Sequence, residues 1–84
     1  MFLHIGNGVC DFKKDVIAVL DMETATTMKE SRAFLKMCEE EEFLYTIAPG
    51  ELPKSIIVTE EDGNNFVYVS PIAASTIRKR SNQV

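Results

Sequence analysis

The apolar residues of this chain come in short runs. Their spacing changes from two to about 3.6 and back again, and that change predicts the elements. Phe2 to Ile5 is apolar and stops at Gly6-Asn7-Gly8, a triplet that turns a chain cheaply because Gly and Asn tolerate positive φ. Val9 to Phe12 follows, so the first dozen residues predict a hairpin. After the polar turn Lys13-Lys14, Val16 to Leu20 is a continuous apolar run between Asp15 and Asp21. Its β-branched content predicts a central strand buried on both faces. Glu23 to Thr27 is polar and leads into a helix, with Thr27 and Glu30 spaced as a capping box. Met28, Ser31, Phe34, Leu35 and Cys38 form one stripe of that helix; Lys29, Arg32 and Lys36 form another. Glu39 to Glu42 oppose the helix dipole at its C-terminal end and predict fraying there.

The second half repeats the alternation. Phe43 to Ala48 reads as a strand, and Pro49 to Pro53 as a loop. Lys54 to Thr59 and Asn65 to Val69 read as a hairpin around a Glu60 to Asn64 turn containing Asp62-Gly63. Ser70 fits an N-cap with Pro71 at the first helical position, and Ile72, Ala73, Thr76 and Ile77 give the apolar side. Arg78-Lys79-Arg80 then suits the negative end of that helix. The order β-β-β-α-β-β-β-α, without repeated βαβ units, predicts an α+β fold. A small mixed or antiparallel sheet with its helices on one side is the economical form. Residues 1–80 read as a single domain and 81–84 as a flexible C-terminal tail.

Composition adds limits. The chain has 84 residues, 45 % of them hydrophobic, which is enough for one core only. So short a chain buries a modest share of its surface, and self-association is a common supplement. Cys10 and Cys38 make no disulfide framework and read as reduced thiols of a cytoplasmic protein. No apolar run approaches the roughly 20 residues that cross a bilayer. The start lacks the pattern of a signal peptide, so no membrane partner is expected. The net charge of −4 opposes indiscriminate nucleic-acid binding, although the charges are segregated along the chain.

Candidate chemistry is sparse. His4 lies across a predicted hairpin from Cys10 and Asp11, which raises a Cys-His-Asp nucleophilic site. A strand histidine beside a packed thiol is the preferred reading, so no catalytic residue is assigned. One His and two distant Cys have no zinc spacing, and Glu39 to Glu42 lack the pattern of a calcium loop. Gly6-Asn7-Gly8 lacks the Lys and helix of a phosphate loop. No cofactor, metal or small-molecule substrate is expected. The basic residues Lys13, Lys14, Lys54, Arg78, Lys79 and Arg80 all fall at element ends. There they can reach a phosphate backbone, so they are the candidate nucleic-acid contacts. Lys29, Arg32 and Lys36 are a secondary candidate.

Four stretches in order carry a family resemblance: Met1 to Gly6, Asp15 to Asp21, Pro53 to Thr59, and Tyr68 to Arg80. Together they resemble the extracellular-matrix regulator family, RemA and RemB, most closely the RemB branch. The resemblance implies a non-enzymatic, cytoplasmic transcriptional regulator of biofilm matrix genes. On the RemA side it implies a DNA partner and a homo-oligomer closed into a ring. RemA-type proteins carry arginines just before the central strand and in the loop ahead of the Lys54 strand. Here those places read Lys13-Lys14-Asp15 and Gly50-Glu51-Leu52-Pro53-Lys54. The alternative expectation is therefore a protein-interaction or structural ring assembly with weak or lost DNA binding.

Overall fold

Five successive residues, Ser55 to Thr59, are buried, so the strand they form must be covered on both faces. A computed structural model describes residues 2–6, 8–12 and 15–81 and shows how this is done. β1 (Phe2–Gly6) and β2 (Val9–Phe12) form the predicted antiparallel hairpin. The chain continues through β3 (Val16–Asp21), α1 (Met22–Thr27), α2 (Lys29–Glu40), β4 (Leu44–Thr46), β5 (Ser55–Glu61), β6 (Asn64–Ser70) and α3 (Ala74–Ser81). The last four strands form one mixed sheet in the order β3-β5-β6-β4. β4 runs parallel to β6, and the other pairs are antiparallel. The fold is α+β with a small mixed sheet, as the order of elements predicts.

The central strand is β5, not the Asp15 to Asp21 run. β3 is an outer strand, and its residues are at most half-buried. Its continuous apolar character has a local cause. Val16 pairs with Thr59 and Ala18 with Val58, so Ile17 is an extra residue that bulges out of register. The bulge lets Val16 and Val19 share one face of the sheet, while Ala18 and Leu20 share the other.

Period two in β5 then divides the core. Ile56 and Val58 pack with Val67, Ala25 and Cys38 on the face covered by α1 and α2. Ile57 packs with Leu3, Ile5 and Ile77 on the opposite face, under β1 and α3. The helices therefore lie on both sides of the sheet rather than on one. Three successive apolar residues, Ile56 to Val58, lie buried on alternating faces of β5, so both faces need cover, and α1 and α2 supply only one.

The order gains a helix because the chain breaks at Met28, which is extended at φ −84° and ψ 127°. The expected capping box does not form. Thr27 Oγ1 donates back to the Glu23 carbonyl at 2.9 Å, and Thr26 Oγ1 does the same to Met22. Such back-bonding competes with the cap. The glutamate run ends α2 in an ordered closure rather than a frayed one. Phe43 N–H reaches the Cys38 carbonyl and Glu42 N–H the Glu39 carbonyl, with Glu42 at φ 64°.

Ser70 does not cap a helix at Pro71; α3 starts at Ala74. Ser70 is the last residue of β6. Its fully buried hydroxyl donates to the Ile5 carbonyl and accepts the Ile72 N–H. Ser55 Oγ, equally buried, donates to the Ile72 carbonyl at 2.7 Å. These two hydroxyls clasp the first strand and the connection to α3 onto the sheet, which leaves neither carbonyl orphaned. The β5–β6 hairpin is tighter than its sequence suggests. Glu61 pairs with Asn64, and Asp62 (φ 52°) with Gly63 (φ 83°) makes a two-residue turn.

Candidate nucleic-acid interface

Two of the candidate cations are engaged in holding the fold. Met22 N–H donates to the Lys54 carbonyl, so the residue pairs that share hydrogen bonds between β3 and β5 alternate from there. Val19 falls at a position whose carbonyl points away from β5. Arg78 Nη2 donates to that carbonyl at 2.6 Å, and Arg80 Nη1 donates to the His4 carbonyl at 3.2 Å. α3 thereby lies along β1 and the outer side of β3. A guanidinium has several donors, so each arginine keeps others for a second partner. Lys79, between them, is exposed.

Lys54 is exposed beside the Asp21 end of β3. Its backbone is fixed by Lys54 N–H to the Ser70 carbonyl at 2.8 Å. Lys13 and Lys14 lie outside the described residues. The chain enters β3 beside Val16, which pairs with Thr59, whereas Ser55 pairs with Asp21. At about 3.3 Å per residue, these two ends of β3 are roughly 17 Å apart. Lys29, Arg32 and Lys36 are exposed on α2, across the sheet from α3. The fold thus gathers Arg78, Lys79 and Arg80 at one sheet edge, sets Lys54 at one end of the sheet, and separates the α2 cations from both.

Two features escaped the sequence reading. One is the edge-closing role of Arg78, which joins residues 59 positions apart and leaves no local signal. The other is an aromatic row in which Tyr45 stacks on Tyr68 at 5.6 Å and on Phe66 at 6.2 Å. The shared parity of Phe66 and Tyr68 along β6 was a signal for it, but their pairing with β4 was not.

His4 is exposed and pairs in register with Cys10; the side chains of Cys10 and Asp11 lie outside those described. Among the described residues, no group of His, Cys, Asp and Glu converges as a metal site. Among them too, no helix is long and apolar enough to cross a membrane. Cys38 is a free thiol, nearly fully buried, beside a cavity of about 180 Å³ between the end of α2 and the β5–β6 turn. Burial, and then the nearby Glu41, push its pKa up. The thiol is therefore protonated in the folded protein where an unfolded one ionises. This contribution to stability is complete below the ordinary thiol value of about 8.5 and declines as pH rises from there towards the raised folded value. Iodoacetamide is expected to label Cys38 at least tenfold more slowly in the native protein than in urea, scored by peptide mass. Equal rates would contradict the packed thiol.

Fold and surface together define a small α+β domain with a four-stranded mixed sheet and cations along one sheet edge. The chain belongs to the RemA-like family: the model of extracellular matrix regulatory protein A-like proteins matches residues 2–80. No curated protein matches the chain.

Proposed function

We propose that this chain is a non-enzymatic, self-assembling, DNA-associated transcriptional regulator of the biofilm-matrix type, from the RemB side of the family. The family match over residues 2–80 carries this reading. Lys13, Lys14, Lys54, Arg78, Lys79 and Arg80 are the proposed phosphate contacts. A few separated cations bind DNA weakly in a net-acidic monomer, but repetition around an assembly multiplies weak contacts through effective concentration. Retarded migration of DNA is expected at micromolar protein and 50 mM salt. The logarithm of affinity should fall with that of salt by about 0.9 per phosphate neutralised. Reversing Lys13 and Lys14 to Glu should abolish the shift and leave the assembly mass unchanged. No shift at 50 mM salt would sink the reading.

A second reading is a protein-interaction or structural assembly that has lost DNA binding. It is favoured by Arg78 and Arg80, whose guanidinia hold backbone carbonyls, and by the exposed Glu51-Leu52 segment where the family resemblance implies arginine. An intact assembly by light scattering with no DNA shift would select it.

A further inference from the structure

The two outer strands of the four-stranded sheet present different chemistry on their free sides. Beside β3 stand Ile17, 57 % exposed at the bulge, and Arg78, fixed against the outward Val19 carbonyl. That carbonyl is occupied by a side chain, so another strand cannot add to β3 there without displacing it. A contact at this edge is made by side chains instead. Arg78 arrives preorganised, with its remaining donors and planar faces available.

At the other edge, Tyr45 on β4 is 46 % exposed. Its ring stacks on Tyr68 and on Phe66, and Tyr68 Oη donates to Glu61 Oε2 at 3.4 Å. Thr59 Oγ1 donates to the same oxygen at 3.0 Å, which fixes the carboxylate. Negative ring faces beside a carboxylate attract a cation and repel a phosphate, and a planar guanidinium suits them best. Both halves of this complementary pair belong to one chain. They sit on opposite edges of one sheet, three strand spacings or roughly 14 Å apart. Arg78, held at Val19, cannot close on its own Tyr45.

We infer that the Tyr45–Tyr68–Glu61 patch on the β4 side of one copy receives Arg78 from the β3 edge of a second copy. This deepens, and rests on, the self-assembly part of the proposed function, and it gives Arg78 to the assembly, leaving Lys13, Lys14, Lys54, Lys79 and Arg80 as the phosphate contacts. The surfaces are unlike, so each contact leaves one of each kind open and the association propagates, into a ring where the rotation closes and into a filament where it does not.

Light scattering of the full chain tests this, with circular dichroism confirming that each variant is folded. Tyr45→Lys and Arg78→Glu should each weaken association at least tenfold, while Tyr45→Phe keeps the ring and the assembly. Mixing Tyr45→Lys with Arg78→Glu should restore a dimer and nothing larger, because one good surface remains on each. Should Arg78→Glu unfold for want of the Val19 contact, Tyr45→Lys titrated into wild type decides. Its intact Arg78 should cap wild-type assemblies and lower their mass, and unchanged mass overturns the contact. Assemblies unaffected by either substitution overturn the contact and leave self-assembly standing. Loss with Tyr45→Lys alone overturns Arg78 as the occupant. A monomeric wild type overturns self-assembly itself, and this contact with it.

Discussion

Ile57→Ala is expected to destabilise the protein by about 2–5 kcal/mol, the range for removing a buried aliphatic branch without full collapse of the space. Ile57 is fully buried at the middle of the central strand. It pairs with Val19 on one side and Tyr68 on the other, and packs against Leu3, Ile5 and Ile77. Those contacts come from the sheet, the N-terminal hairpin and α3, so no single element can shift to refill the void. In a domain whose total stability is on the order of 5–15 kcal/mol, such a loss is a large fraction. Urea unfolding at fixed protein concentration measures it, with Ile57→Val expected to cost only about 0.5–1.5 kcal/mol. Equal, small losses for both would mean that the hairpin and α3 do not pack on this face.

Gly6→Ala is expected to cost roughly 1–3 kcal/mol in backbone strain, with crowding adding to it. Gly6 lies at φ +125°, where a side chain is strained whatever the space. A Cβ there would meet Pro71 Cδ at 3.3 Å and Ser70 Oγ at 3.4 Å. The close approach belongs to the clasp that joins Ile5 to Ser70, so the substitution strains the turn and pushes on the bond that seats β1. Gly8→Ala is the control, because φ is again positive (+77°) but nothing lies within 4 Å. The difference between the two unfolding midpoints reports the crowding together with the greater strain of a side chain at φ +125° than at +77°. If Gly8→Ala costs as much, the packing of β1 against Ser70-Pro71 contributes nothing.

The parts of the fold that were legible in the sequence are those settled over short distances. Asp62-Gly63 between alternating apolar residues marked the β5–β6 hairpin, and only the strand lengths needed revision. The parts that were not legible depend on distant partners. Ser70-Pro71 has the form of a helix start, but the Ser70 hydroxyl is taken by Ile5, 65 residues away, and α3 begins later. Val16 to Leu20 looks like a central strand because the bulge at Ile17 shifts the alternation, so that apolar residues of an outer strand fall on both covered faces of the sheet. Met28 sits on the apolar helical stripe, yet the chain is extended there, since neither preceding threonine is free to cap. The candidate site divides in the same way. The cationic residues could be read directly, but their directions could not. Sequence places Arg78, Lys79 and Arg80 together; only the fold shows two of them turned onto the chain's own carbonyls.

The bond from Arg80 to the His4 carbonyl has a consequence for handling the protein. Positions 4 and 80 of the described chain meet at one place, so the polypeptide is nearly a closed circuit. The exposed Pro49 to Pro53 loop, outside every strand pairing, is the natural place to open that circuit if a linker bridges the segments around positions 4 and 80.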